Sequence, residues 1–111
     1  MVKDLPRESD EGNIEYKLKL LNLTNERKEQ LTTQLNYRLY EGNGKAIYLI
    51  GVEDDGTIVG LTKESRNENL EYFKKMCLEL GVNIKLIING SYSQKSFLII
   101  LVKSDKHQDN F

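Results

Sequence analysis

The chain has 111 residues, of which 39% are hydrophobic and 30% are charged, which is the composition of one globular domain. Sixteen Lys and Arg residues against seventeen Asp and Glu residues exclude a strongly basic surface that holds nucleic acid non-specifically. A single Cys excludes an intramolecular disulfide, and a single His argues against a His-rich metal site. With no apolar run of membrane length and no secretory signal, we expect a cytoplasmic protein without a membrane partner.

The chain is expected to open with a polar lead-in, residues 1–12, that is flexible. Residues 14–20 then alternate apolar and charged side chains, which predicts a half-buried strand. In this strand the side chains of Ile14, Tyr16, Leu18 and Leu20 are predicted to face the core. The intervening charged residues are predicted to face solvent or a partner: Glu15, Lys17 and Lys19.

A helix is predicted over residues 25–40, because Leu31, Leu35 and Leu39 recur at helical spacing and Thr24 or Asn25 can cap it. Residues 45–52 are almost uninterruptedly apolar, which predicts a central strand covered on both faces. An Asp-Gly turn over residues 53–56 and a return strand over residues 57–61 complete a predicted hairpin.

A second helix is predicted to begin at a capping box, Ser65 to Glu68, and to end at Gly81. Its apolar face includes Cys77, which is therefore predicted to be a core residue and not a nucleophile. Residues 82–89 and 95–103 predict an antiparallel pair of strands. Together, these elements predict one α+β domain over residues 13–103, with a mixed five-stranded sheet, two helices and the order β-α-β-β-α-β-β. Residues 104–111 are expected to be a linker or a cut point.

No phosphate-binding loop is present, although residues 43–46 (NGKA) resemble part of one. Leu39 stands where the first Gly of such a loop is needed, and Ala46 where the Mg²⁺-binding Ser or Thr is needed. A strand, not a helix, is also predicted to follow. We therefore expect no nucleotide-binding residue in this chain. His107 lies in the polar tail without an evident base, so no catalytic residue is assigned either.

Two sets of charged residues are candidates for a binding site. If the first strand lies beside the hairpin, four carboxylates can gather in the oxygen-rich arrangement that Mg²⁺ prefers: Asp10, Glu15, Asp54 and Asp55. The alternative is that these are solvated turn and edge residues, and no metal ligand is assigned. Four cations are candidate contacts to RNA or to an acidic partner: Lys17, Lys19, Arg38 and Lys45. Their alternative is also a solvated surface.

Two long motifs, EGNIEYKLKL (residues 11–20) and GVEDDGTIVGL (residues 51–61), resemble a known family. With LxTQ at residues 31–34, YRL at residues 37–39 and LGVNI at residues 80–84, they are similar to the N-terminal region of elongation-factor-like GTPases, the GTP-binding protein one and two family. This sequence departs from the family in having Tyr37 where Trp is expected. A weaker similarity links it to the divergent Alba-like domain of Schlafen-type proteins.

The first resemblance implies a non-catalytic accessory domain that precedes a GTPase domain and contacts RNA, the ribosome or that GTPase domain. GTP and Mg²⁺ would then belong to the missing GTPase domain, and the full protein would act in translation. The second resemblance implies a small metal-dependent ribonuclease that uses Asp10, Glu15 and one of Asp54 or Asp55. A pure protein-interaction module is the third alternative, distinguished from RNA binding by a weaker dependence on salt.

Overall fold

A four-stranded mixed sheet with two helices forms the domain in a computed structural model, which describes residues 4–20 and 24–105. The predicted α+β class with two helices is confirmed, but the predicted five-stranded sheet and its element order are wrong. The elements are, in chain order, β1 (Ile14–Lys17), α1 (Asn25–Glu41), β2 (Lys45–Ile50), α2 (Lys63–Leu80), β3 (Asn83–Tyr92) and β4 (Lys95–Lys103).

The strands lie in the order β1-β2-β4-β3. β1 is parallel to β2, whereas β2 pairs with β4 and β4 with β3 in antiparallel fashion. β2 and β4 are therefore the central strands, and β1 and β3 are the edges. The predicted central position of β2 is confirmed. Within the described part of the chain, neither helix is long and apolar enough to cross a bilayer.

The return strand predicted over residues 57–61 does not form. A single bridge joins Val52 to Ile58, and the N–H groups of Val59 and Gly60 both donate to the carbonyl of Gly51. Gly51 and Gly60 have φ values of 99° and 88°, far from the negative φ of a strand, and so fold the segment into a compact loop. This loop, residues 51–61, lies over one end of the sheet.

Both helices begin at a threonine whose hydroxyl accepts a backbone N–H. Thr24 caps α1 as predicted, accepting from Arg27 at 3.1 Å. The predicted capping box of α2 is wrong, because Thr62 is the cap and accepts from the N–H of Ser65 at 3.1 Å. Ser65 therefore lies in the first turn, where its carbonyl accepts from the side chain of buried Asn69 at 2.7 Å.

The main core lies between the sheet and the two helices. The helical spacing of Leu31, Leu35 and Leu39 places all three against the sheet, each with at most 1% of its surface exposed. Tyr48 of β2 meets Phe73 of α2 with ring centroids 4.9 Å apart and the rings inclined at 60°, a favourable edge-to-face arrangement. Burial of these side chains is the main source of the domain's stability.

A second, smaller apolar cluster covers one end of the opposite sheet face. It consists of Tyr16, Val52, Ile58 and Phe97, with Leu5 packed against it. Backbone hydrogen bonds fix the described part of the lead-in there, since the N–H of Leu5 donates to the carbonyl of Gly56 at 3.0 Å. Among the residues that the structure describes, none forms a layer over the rest of that sheet face.

The predicted orientation of the first strand is wrong for four of its residues. Leu18, predicted to face the core, is 41% exposed beyond the end of β1, and Lys17, predicted to face solvent, has only 11% of its side chain exposed. Glu15, predicted to face solvent, is only 5% exposed and pairs with Tyr48 on the helix side of the sheet. Ile14, predicted to face the core, is 43% exposed on the opposite side. Tyr16 is buried as predicted, but in the smaller cluster. Burial of Glu15 requires a cationic partner, because an isolated carboxylate in a core is very costly.

Candidate functional site

Arg38, near the end of α1, is the cationic partner of the buried Glu15 carboxylate. It is 3% exposed, and its Nε donates to Oε1 of Glu15 at 2.9 Å. The remaining guanidinium donors reach backbone carbonyls of the segment before β1: Nη2 reaches Ser9 at 2.8 Å, and Nη1 reaches Gly12 at 2.9 Å. One planar fork therefore holds the first strand and its preceding segment against α1.

Glu15 is held by a second cation as well. Nζ of Lys17 lies 3.5 Å from Oε2, so each oxygen of the Glu15 carboxylate has its own positive partner. Both side chains of this second pair are largely buried, at 11% and 7% exposure. Neutralising the carboxylate in this way makes its burial possible, and removing a cationic partner would leave a buried charge that is less well compensated.

Glu8 approaches this pair from the lead-in. Its carboxylate accepts the backbone N–H of Tyr16, and its own N–H donates to the carbonyl of Asp54 at 2.7 Å. Burial, together with the hydrogen bond to Glu15 and the negative charge of that residue, raises the pKa of Glu8 to about 7 from its ordinary 4.5. Glu8 is therefore a carboxylic acid that changes charge near neutral pH.

The raised pKa of Glu8 predicts a pH-dependent stability. The folded state binds a proton more tightly than the unfolded state, so the free energy of unfolding should fall as pH rises from about 4.5 to about 7. Glu8→Gln should remove this part of the pH profile, because an amide does not titrate in that range. Urea unfolding across this pH range measures the effect, with exposed Glu29→Gln as the control. Identical profiles for wild type and Glu8→Gln would contradict the prediction.

The predicted carboxylates lie in different environments. Glu15 is buried under α1, and Asp54 is exposed in the loop of residues 51–61, near enough to Glu8 to help raise its pKa. Asp10 is exposed, and Asp55 accepts the N–H of a neighbouring turn residue through its side chain at 2.9 Å. Over residues 4–20 and 24–105, no group of three or more His, Cys, Asp or Glu side chains is arranged to hold a metal ion.

The predicted cations do not form one patch. Arg38 and Lys17 both bind Glu15, whereas Lys19 is exposed beyond the end of β1. Lys45 is exposed at the start of β2, in register with Lys103 of β4 on the face opposite the helices. The structure therefore separates two structural cations from two exposed ones.

The sequence analysis also considered Cys77 and His107 as candidate chemical groups. Cys77 is 2% exposed in the main core, where burial raises the pKa of its thiol to about 12, so its predicted role as a core residue is confirmed. His107 lies outside the described residues. Glu8 was not among the candidate residues predicted from the sequence. Arg38 itself carried a signal, because it stands seven residues after Leu31 and so shares the apolar face of α1.

The second candidate surface is the sheet face opposite the helices. Cross-strand pairs place two rows on this face: Ile14, Ile47, Leu101 and Leu86 in one, and Tyr16, Leu49, Ile99 and Ile88 in the other. We call the aliphatic part of these rows the open sheet face: Ile14, Ile47, Leu49, Leu86, Ile88, Ile99 and Leu101. Two of these residues, Leu49 and Ile99, also pack against the smaller cluster. Its outer members Leu86 and Ile88 are 50% and 43% exposed.

A groove of about 630 Å³ runs between the two helices. Both apolar and charged side chains line it, among them Lys28, Leu31, Glu71, Tyr72, Lys75 and Met76. Charges of both signs face the groove, so it has no single electrostatic preference for an anion or a cation.

Comparison with known proteins relates the chain to a GTP-binding protein. It is 47% identical over 83 residues to GTP-binding protein 2 of human and of mouse, matching 75% of this chain and 14% of the relative. It is 35% identical over 91 residues to "Uncharacterized protein R625" of Acanthamoeba polyphaga mimivirus, covering 49% of that protein. No protein-family model and no solved structure matches the chain.

These matches support the first family resemblance, whereas the similarity to Schlafen-type domains finds no support in them. The chain spans about a seventh of the length of GTP-binding protein 2 and about half that of the viral protein. The chain is thus homologous to a short segment of GTP-binding protein 2.

Proposed function

We propose that this domain is a non-catalytic accessory module of an elongation-factor-like GTP-binding protein, and that it acts by contacting the GTPase domain of the same protein. The observation that carries this proposal is the 47% identity over 83 residues to a protein named for GTP binding, of which the match covers 14%. The greater part of such a protein, outside the match, would bind the nucleotide.

The local structure around residues 42–45 supports a role without nucleotide. A phosphate-binding loop joins a strand to the N-terminus of a helix, whose N–H groups and dipole favour phosphate. Here the glycine-containing loop follows the C-terminus of α1 and leads into β2 at Lys45. The carbonyl end of a helix is the unfavourable end for an anion, because it carries partial negative charge.

The charged residues favour a protein contact over RNA. Arg38 and Lys17 are occupied by Glu15, so two of the four predicted cations contribute to internal structure. A surface that follows an RNA backbone needs several cations together, since each neutralised phosphate contributes to affinity. The aliphatic open sheet face is instead a feature of the described domain that no internal contact explains.

Calorimetric titration with GTP and GDP, each with Mg²⁺, tests the absence of a nucleotide site. We expect no heat of binding to this 111-residue chain, because the groups that would hold the phosphates are missing. Human GTP-binding protein 2 is the positive control under the same conditions. Micromolar affinity of this chain for either nucleotide would overturn the proposed function.

A further inference from the structure

We propose that the open sheet face is a docking site for an amphipathic helix with an apolar stripe and acidic flanks, supplied by the protein partner of this domain. The inference deepens the proposed function and rests on it, since it names the surface and the chemistry of the contact.

The central strands are built to be covered on both sides. β2 and β4 read KAIYLI and, from residue 97, FLIILV, without the outward polar residues typical of an antiparallel sheet with one solvated face. On the helix side, Tyr48 and Ile100 are fully buried by α1 and α2. On the other side, Ile47 and Leu101 have the same aliphatic character but remain partly exposed.

The chain itself shows that this face accepts apolar cover. At one end, Leu5 from the lead-in and Ile58 from the loop of residues 51–61 pack against Tyr16 and Phe97. This cover does not extend over the row that includes Ile14, which stays 43% exposed. A third layer over the remaining part would continue the cover that these segments begin.

The charges around the face define the partner. The strand positions on this side of the sheet include three lysines, Lys45, Lys95 and Lys103, and no carboxylate. Two copies packed face to face would therefore bring lysines together, which disfavours self-association. RNA is a poorer fit, because the centre of the face is aliphatic and the exposed ring on it, that of Tyr92 beside Lys95, lies at one end. A partner segment with an apolar centre and acidic flanks would contact both the aliphatic centre of the open sheet face and the lysines at its ends.

A helix matches the dimensions of the face. Four strands about 4.8 Å apart make an apolar row about 14 Å wide, which is the length of roughly nine or ten helical residues. The other side of the same sheet already packs against helices, since the leucines of α1 at four-residue spacing lie on β2. Helix-in-groove recognition uses the same spacing of apolar anchors.

Fluorescence anisotropy with a labelled synthetic helix of about 18 residues, with leucines on one face and glutamates on its flanks, tests this proposal. We expect the wild-type chain to bind it at least tenfold more tightly than a version whose glutamates are replaced by lysines. Ile88→Ser should weaken binding at least fivefold. The matched control is Leu78→Ser, because Leu78 is 81% exposed on α2, away from this face, and its loss should leave binding unchanged.

Each other result overturns the proposal. Absence of binding removes the site, equal binding of both peptides removes the charge argument, and equal loss in Ile88→Ser and Leu78→Ser removes the location. A dimer in light scattering that Ile88→Ser dissociates would assign the face to a second copy, and competition by single-stranded RNA would assign it to nucleic acid. If the peptide fails to bind while GTP and GDP also fail, the accessory role stands and only the docking site is lost.

Discussion

Arg38→Met should destabilise the domain by about 3–5 kcal/mol, the range measured when one partner of a buried ion pair is removed. The guanidinium satisfies Oε1 of Glu15 and the carbonyls of three residues before β1, and it is 3% exposed. Methionine fills much of the same volume, so the loss is electrostatic and not a cavity. Urea unfolding followed by circular dichroism measures the change in the free energy of unfolding.

Two further variants test the cause of this loss. Arg27→Met alters an exposed arginine on the same helix and should change stability by no more than about 0.5 kcal/mol. Combining Glu15→Gln with Arg38→Met removes the buried charge left behind, so the double variant should be more stable than Arg38→Met alone. If the two changes simply add, the ion pair does not hold the first strand as described.

Leu35→Asp should abolish cooperative folding. Leu35 has no exposed surface and lies at the centre of the face that α1 packs on the sheet. Aspartate at this position loses the apolar contacts and buries a carboxylate with no cation facing it in the main core cluster. The variant should lack both the far-ultraviolet circular dichroism spectrum of a folded α+β domain and the sigmoidal thermal transition that we expect for the wild type.

Lys19→Glu is the contrasting variant, because Lys19 is exposed beyond the end of β1. Reversing an exposed charge should leave the thermal transition within a few degrees of wild type. A Leu35→Asp variant that unfolds at the same temperature as Lys19→Glu would mean that α1 packs through a different face.

The elements with a strong local pattern could be predicted from the sequence. The leucines of α1 recur at 31, 35 and 39 because one stripe of a helix must face the sheet, and the structure places all three in the core. The continuous apolar run of β2 likewise indicated a central strand. In these cases the residue spacing and the packing follow from the same geometry.

The predictions that are wrong concern residues whose position depends on a contact with a residue distant in the sequence. Alternation through residues 14–20 assigned Glu15 to solvent, but Arg38, 23 positions later, makes its burial possible. Residues 57–61 have strand-like composition, but glycines at both ends with positive φ and contacts from Leu5 fold them into a loop. The role of Glu8 was not predictable for the same reason, since its pKa depends on contacts that only the folded chain brings together.

The central claim is that this domain works through the uncovered side of its sheet, and a residue-level map of the contact tests it most directly. Nuclear magnetic resonance spectra of the ¹⁵N-labelled chain, recorded during titration with the glutamate-flanked helix, would provide that map. We predict that the shifted amide signals belong to residues of the open sheet face, centred on Leu86, Ile99 and Leu101. Shifts confined to α1 and α2, along the groove between the helices, would contradict the account.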